Sequence, residues 1–278
     1  MSTVSSLRAE LAQQVSDNRW VWFVAAAFTA VAMTMASDPA LVWRTFGDTD
    51  DATRLIQVRA LLDGAGWYNT TLPQIGLPEA LTSHWSRLVD VPLAGLLWFG
   101  GLFFDDRTAD TIVRAIWPVL FLIAMMAIAG TEAERRGGPM AGAICLFLAA
   151  TSGYATFQFM PGRIDHHNIQ ILGAAGGMLL VFRALATGRG GRLAGALLGF
   201  AIAVGYEAMP LIMALLGLGV LIAAFETKLL RPMADILISM AVVMAMAWAI
   251  TVPPWQWLNA ACDALSLNLV ALTVIGAA

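Results

Sequence analysis

Residues 88–104 read LVDVPLAGLLWFGGLFF, and the topology of the chain depends on whether this apolar run crosses a membrane. The 278-residue sequence is 59% hydrophobic, against roughly 45–50% apolar residues in an ordinary soluble domain. Several runs reach the length of about 17 residues that a helix needs to cross a bilayer, whereas β-barrel strands alternate in shorter stretches. The sequence therefore predicts an all-α polytopic membrane protein, with apolar runs at 20–36, 88–104, 112–131, 139–160, 168–187, 193–208, 210–225, 234–253 and 260–278.

Positively charged loops indicate which of these runs cross, because short loops rich in Arg and Lys mark the cytoplasmic side. Two candidate spans separate each such loop from the next; the loops carry Arg135 and Arg136, then Arg183, Arg189 and Arg192, then Lys228 and Arg231. The N-terminal tail, with Arg8 and Arg19, has the same character, but three runs separate it from Arg135. One run before Arg135 must therefore fail to cross.

The weakest candidate is 88–104, which holds Asp90 and Pro92 near its start and is followed by two aspartates. We interpret it as an interfacial or re-entrant segment. Residues 37–110 then form a long first external loop and residues 161–167 a second loop on the same face. The prediction is a single transmembrane domain, 1–278, with about seven or eight spans, which retains its first apolar run as an anchor.

Charge and cysteine content exclude other classes. The net charge is −3, which gives no indication of a nucleic-acid partner. Cys145 and Cys262 lie in or beside apolar segments and are too few for a disulfide framework.

The first external loop contains FGDTDDATR, residues 46–54, with carboxylates at Asp48, Asp50 and Asp51. Three carboxylates so close together repel one another unless they are solvated or bound to a cation. The alternative is a solvated loop in which an Asp caps the following helix. That helix would lie on the membrane through a face of apolar residues, namely Leu55, Val58, Leu61 and Leu62.

The second external loop contains RIDHHNIQ, residues 163–170, and holds two of the three histidines of the chain. Asp165 could simply cap a helix N-terminus. Asp-x-His also offers a carboxylate oxygen and an imidazole nitrogen within one turn, which suits a divalent cation. Further candidates are Glu207, at the external end of its span, and His84 with Arg87, which could contact a phosphate or sugar.

The order and spacing of these motifs resemble the N-terminal half of the catalytic subunit of oligosaccharyltransferase and its bacterial and archaeal relatives, in the GT-C glycosyltransferase superfamily. DTDDATR is similar to that family's DPxFNYR pattern, with Asp48 on the family's Asp and Arg54 on its Arg, although Thr49 replaces the Pro. GRIDHHNIQ matches the archaeal DHH motif and places Asp165 and His167 on its two metal-binding positions. The resemblance covers roughly residues 40–190.

The resemblance implies a GT-C-like helix bundle whose first external loop contains interfacial helices. It implies transfer of a sugar or oligosaccharide from a polyprenyl-phosphate-linked donor to a protein or glycan acceptor, on the external face of the inner membrane. A divalent metal, Mn or Mg, would be held by Asp48, Asp165 and His167. Asp50 or Asp51 would orient or deprotonate the acceptor, and the candidates for phosphate contacts are Arg54, His84, Arg87 and Arg163.

The family's later spans, acceptor-recognising Glu and WWDYG motif are absent from the sequence. We therefore expect the N-terminal part of a longer protein, or a member of an assembly. The alternatives are a cation-binding transporter and a noncatalytic membrane subunit. Transporters place charged sites near the membrane midplane, whereas these clusters lie in predicted external loops.

Overall fold

A computed structural model of the protein describes residues 19–37, 46–76 and 78–277. Within these ranges the chain is mostly helical, as predicted, with one two-stranded sheet. The helices are α1 (Arg19–Ala36), α2 (Thr49–Leu62), α3 (Arg87–Gly101), α4 (Asp106–Thr151), α5 (Gly153–Phe157), α6 (His167–Thr187), α7 (Gly191–Val204), α8 (Met209–Phe225), α9 (Leu230–Thr251) and α10 (Leu267–Ala277). Strands β1 (Thr71–Leu72) and β2 (Leu81–Thr82) pair antiparallel. The tail with Arg8 and residues 38–45 of the predicted external loop lie outside the described residues.

Among the described residues, three helical segments are long and apolar enough to cross a membrane: Asp106–Thr151, His167–Thr187 and Thr227–Thr251. Shorter apolar helices occupy Trp20–Ala36, Gly191–Val204, Met209–Phe225 and Leu267–Ala277. The fold is therefore that of an all-α membrane protein. The α3 helix has 15 residues and would rise about 22 Å, less than the roughly 30 Å of a hydrocarbon core. Its interfacial placement and the sidedness of the loops stay predictions.

The described chain divides into two compact units. The first takes its residues from Met1–Thr45 and Arg114–Arg163, and the second from Phe46–Val113 and Ile164–Ala278. The single transmembrane domain predicted from the sequence stays a prediction.

The first unit contains α1 and a helical hairpin within α4. The backbone breaks at Gly138, with φ 78° and ψ −178°, a conformation that glycine adopts without strain. A Cβ on Gly130 would lie 3.4 Å from Leu146 Cγ, although sixteen residues of straight helix would separate the two by about 24 Å. The two arms therefore fold back on each other, which confirms a reversal beside the predicted Arg135-Arg136 loop. Trp22 packs against both arms and donates a hydrogen bond to Glu134.

The second unit has its apolar core among α6, α7, α8, α9 and α10. Small residues allow α7 to approach its neighbours closely. A Cβ on Gly195 would lie 2.0 Å from the Ile236 carbonyl oxygen of α9, and one on Gly177 would lie 2.7 Å from Leu198 Cδ2 of α7. Membrane helices commonly associate through small residues in this way. The α7 helix ends at Val204, earlier than the predicted run 193–208, and leaves residues 205–208 as a turn.

Helix α2 packs on α3 with its polar side inward. Its buried residues are Asp51, Arg54, Gln57 and Val58, spaced along one face. The sequence predicted that a face with Leu55, Val58, Leu61 and Leu62 lies on the membrane. Val58 is buried within the unit and the three leucines are partly buried, so contact of this face with a membrane stays a prediction. The polar face is buried because its side chains have charged and hydrogen-bonding partners on neighbouring segments of the second unit.

Candidate functional site

Asp48 is the N-cap of α2, which confirms the capping role that the sequence allowed. Its backbone is extended, and its Oδ1 accepts hydrogen bonds from the N–H groups of Asp50, at 2.9 Å, and Asp51, at 3.2 Å. These are two of the donors that a helix leaves unsatisfied at its start. The side chain is exposed, so its carboxylate is accessible from solvent.

Asp51 connects α2 to the segment that precedes α6. It is fully buried, and its Oδ1 accepts hydrogen bonds from the backbone N–H groups of Ile164, at 2.7 Å, and Asp165, at 3.1 Å. A buried carboxylate is costly unless it is hydrogen-bonded, and these two donors provide part of its stabilisation. Asp51 therefore brings the two predicted loop motifs together.

Asp165 is also fully buried and lies just before α6. Its Oδ1 accepts a hydrogen bond from the His167 N–H at 3.0 Å, and its Oδ2 lies 2.8 Å from His167 Nδ1. The imidazole orientation of His167 is thus fixed by the carboxylate beside it.

Asp48, Asp51 and Asp165 form the first of two clusters, which we call the carboxylate cluster. Each contributes a carboxylate oxygen, and these oxygens lie within 4.8 Å of one another. The starts of α2 and α6 both meet here, and helix N-termini favour negative charge. Three oxygen donors from carboxylates suit a hard divalent cation such as Mg or Mn. The structure therefore brings Asp48 and Asp165 together, as the sequence predicted, and adds Asp51 as the third member.

His166, His167 and Glu207 form the second group, which we call the histidine cluster; their ligand atoms also lie within 4.8 Å of one another. His166 Nε2 lies 3.1 Å from Glu207 Oε1, and Gln170 Nε2 donates to Glu207 Oε2 at 2.7 Å. The hydrogen bond with His166 is the largest influence that lowers the pKa of Glu207, to about 2. The carboxylate of Glu207 is 54% exposed and lies in the turn between α7 and α8.

Gly205 makes the close approach within the histidine cluster possible. A Cβ at this position would lie 2.6 Å from His166 Cδ2, 2.7 Å from Glu207 Oε2 and 2.8 Å from Gln170 Nε2. Any larger residue would have to displace these side chains. The backbone of Gly205 is extended, with φ −171°, so the requirement is for space and not for an unusual conformation.

A cavity of about 1110 Å³ opens beside the histidine cluster, within the second unit. His166 and Glu207 contribute to its wall, as do the aromatic residues Tyr68, Trp85 and Trp255. The loop from residue 66 to 71 forms another part of the wall. The Trp67 indole N–H donates to the Ile250 carbonyl at 2.7 Å and attaches this loop to the end of α9.

Beneath this loop lies a buried ionic network centred on Asp90. Its Oδ1 accepts from Arg54 Nη1 at 2.7 Å, and its Oδ2 accepts from Arg87 Nη1 at 2.9 Å and Gln57 Nε2 at 2.6 Å. Arg87 also donates from Nε to the Trp67 carbonyl at 3.0 Å and from Nη2 to the Asn69 carbonyl at 2.5 Å. The network therefore fixes α2, α3 and the cavity loop against one another.

Arg54 and Arg87, which the sequence analysis offered as phosphate contacts, thus serve first as counter-charges for Asp90. The Arg54 guanidinium carbon also lies 4.7 Å from the centroid of the Trp85 ring, a cation–π geometry. Sequence reasoning noted Asp90 only as a charge that weakens an apolar run, and it missed Gln57. The signal available in the sequence was Asp90 itself, a carboxylate in an apolar run that begins directly after Arg87.

Asp50, His84 and Arg163 are not members of either cluster. Asp50 is partly exposed and is not a member of the carboxylate cluster. His84 is exposed on the cavity wall beside Trp85. Arg163 belongs to the first unit, where it is buried, donates to Gln158 at 2.6 Å and packs over the Phe157 ring. Ligand contacts by these residues stay predictions.

No protein-family model matches this chain, and no curated protein matches it.

Proposed function

We propose that the protein is a metal-dependent membrane glycosyltransferase of the GT-C type, which uses a polyprenyl-phosphate-linked sugar donor. The observation that carries the proposal is the convergence of Asp48, Asp51 and Asp165 from two motifs more than a hundred residues apart. Both motifs were singled out by their clustered charges, and both resemble metal-binding loops of that superfamily. The proposal includes a GT-C-like arrangement of the helices and a site on the external face of the inner membrane.

The donor set in the carboxylate cluster fits the metal that the resemblance implies. Mg and Mn prefer oxygen ligands, and carboxylates at this separation repel one another without a cation. Asp48, Asp51 and Asp165 would hold the ion, in place of the set Asp48, Asp165 and His167 that the resemblance implies. His167 then acts as the residue that orients Asp165, through the 2.8 Å contact of its Nδ1. A divalent metal bound here would stabilise negative charge on the departing lipid phosphate.

The aspartates of the carboxylate cluster and Asp50 have different roles, which follow from how deeply each is buried. Asp51 and Asp165 are buried and held by backbone N–H groups, so they present oxygens in a fixed geometry. Asp48 is exposed and leaves the cluster accessible from solvent. Asp50, partly exposed beside it, is the candidate to orient or deprotonate the acceptor.

The cavity suits a carbohydrate by size and lining. Its volume of about 1110 Å³ exceeds the roughly 300–1,000 Å³ of most small-molecule pockets. Tyr68, Trp85 and Trp255 offer aromatic surfaces, and Asn69 and Thr70 offer hydrogen-bonding groups from the loop that Arg87 fixes. We propose that the sugar of the donor or of the acceptor occupies this cavity.

The test is consumption of a radiolabelled polyprenyl-phosphate-linked sugar by the purified chain, with a cell-envelope extract supplying acceptors. We expect Mn²⁺-dependent loss of label from the lipid phase, abolished by Asp51→Asn and by chelation. Asp63→Asn is the matched control, since Asp63 lies exposed at the opposite end of α2. Equal label in the lipid phase with wild type, with Asp51→Asn and with no protein would contradict the proposal.

A further inference from the structure

We propose that the histidine cluster is a second divalent-metal site, of the zinc type, distinct from the carboxylate cluster. His166, His167 and Glu207 would be its ligands, on the wall of the cavity. The proposal does not depend on glycosyl transfer. It assigns a role to His166 and Glu207, which the carboxylate cluster does not use.

The ligand atoms are already close enough to share one ion. His166 Nε2 and Glu207 Oε1 are 3.1 Å apart, and His167 Nε2 lies 3.9 Å from the same oxygen. Two atoms that each bind zinc at about 2.0–2.2 Å in tetrahedral geometry lie roughly 3.3–3.5 Å from each other. The observed separations bracket this value, so small side-chain adjustments would complete the site.

The contact between His167 and Asp165 has the form that metal-binding histidines usually show. Asp165 Oδ2 lies 2.8 Å from Nδ1, and an ionised carboxylate can only accept a hydrogen bond, so Nδ1 carries the proton. The lone pair of the neutral ring is then on Nε2, the atom that faces Glu207. Metal-binding histidines typically donate their other N–H to a carboxylate or carbonyl in this way.

His166 is held rigidly within the cluster. It is 4% exposed, and its Nε2 is the ring nitrogen that faces Glu207. The ring is also fixed in place, stacked on His167 with centroids 4.4 Å apart and packed 5.9 Å from the Trp85 ring.

The surroundings supply an orienting residue and an access path. Gln170 Nε2 donates to Glu207 Oε2, and Gly205 leaves the space in which the carboxylate and the His166 ring meet. Two imidazole nitrogens and one carboxylate form a donor set of borderline softness, which favours zinc over magnesium. Because His166 and Glu207 line the cavity, the remaining coordination position would face it and could take an oxygen of a cavity ligand.

The test uses Co²⁺ as a spectroscopic substitute for zinc on the purified full chain, carrying an affinity tag without histidine. We expect about one equivalent of Co²⁺ with visible absorption bands, displaced by Zn²⁺. His166→Ala and Glu207→Gln should each weaken Zn²⁺ binding by about tenfold or more. His84→Ala is the matched control, because His84 lines the same cavity but lies outside the cluster, and it should bind Zn²⁺ like the wild type.

Metal binding by Asp51→Asn and by Glu207→Gln decides whether the histidine cluster is a separate zinc site. Asp51→Asn should keep Zn²⁺ binding while losing Mn²⁺ binding, which separates the two sites. Glu207→Gln changes a largely exposed group and keeps its volume, so it remains informative if His166→Ala fails to fold. Unchanged Zn²⁺ affinity in Glu207→Gln overturns the proposal. So does loss of both ions together in Asp51→Asn, since that result indicates a single shared site.

Discussion

Replacement of Asp90 by asparagine tests the buried ionic network that supports the cavity. Asp90 and Arg54 are fully buried and Arg87 is 2% exposed, so the three charges are almost completely removed from water. Asparagine keeps the shape and one acceptor oxygen but removes the only carboxylate that both arginines contact in the described structure. Two buried guanidinium groups are then left without their counter-charge.

The expected loss follows from this geometry. Removing one partner of a buried ion pair typically destabilises a protein by about 3–5 kcal/mol. The two pairs share one carboxylate and are not additive, so we expect about 4 kcal/mol for Asp90→Asn. For a unit of this size that loss lowers Tm by roughly 8–16 °C.

The assay is thermal unfolding in detergent, followed by tryptophan fluorescence. Asp106→Asn is the control, because Asp106 pairs with Arg59 at 3.1 Å but its side chain is 85% exposed. Such surface pairs contribute at most about 1 kcal/mol. A second change, Arg54→Met, should restore part of the stability of Asp90→Asn by removing one unpaired charge. An equal decrease of Tm in Asp90→Asn and Asp106→Asn would contradict a stabilising role of the buried network.

Three further predictions concern single side chains. Asp48→Ala should cost about 1 kcal/mol of stability through loss of the helix cap, whereas Asp48→Ser should keep the cap and lose only cation binding. Calorimetry that shows equal cation binding in both variants and in the wild type would contradict this prediction. Gly205→Ala should lower stability by about 1–3 kcal/mol, because its Cβ would lie 2.6 Å from His166, and unchanged thermal unfolding would oppose this. Hydrogen bonds from the Thr108 N–H and hydroxyl lower the pKa of the Asp105 carboxyl from its usual 3.8. The ionised carboxylate therefore stabilises the folded protein above pH 3.8, and this stabilisation is lost as the pH falls through the lowered pKa of the folded state. Asp105→Asn should therefore reduce the acid sensitivity of unfolding while changing stability little at pH 7, and identical pH profiles would contradict this.

The helices, and the convergence of the two motifs that contain Asp48 and Asp165, could be predicted from the sequence. Hydropathy locates spans because every backbone polar group in lipid must be satisfied within a helix. The alternation of charged loops placed Asp48 and Asp165 on one face, and the structure brings them together. The cap by Asp48 was also predictable, since it depends on residues only two or three positions away.

The partners of the buried polar residues could not be predicted from the sequence. Periodicity weighs only hydrophobicity, so it identified the apolar face of α2 and gave no indication that Asp51, Arg54 and Gln57 are buried. Those side chains are buried because their partners lie far along the chain: Asp90 is 36 residues from Arg54, and Ile164 is 113 residues from Asp51. Such pairings depend on tertiary packing, which no local pattern encodes.

The most direct test of the carboxylate cluster is the binding of Mn²⁺ to the purified chain, followed by electron paramagnetic resonance. Asp51→Asn and Asp165→Asn keep an oxygen that can accept the local backbone hydrogen bonds but remove a charged ligand. We expect Mn²⁺ binding in the wild type and in Asp63→Asn, and its loss in both cluster variants. Equal Mn²⁺ binding in all four proteins would contradict the claim that Asp48, Asp51 and Asp165 form a metal site.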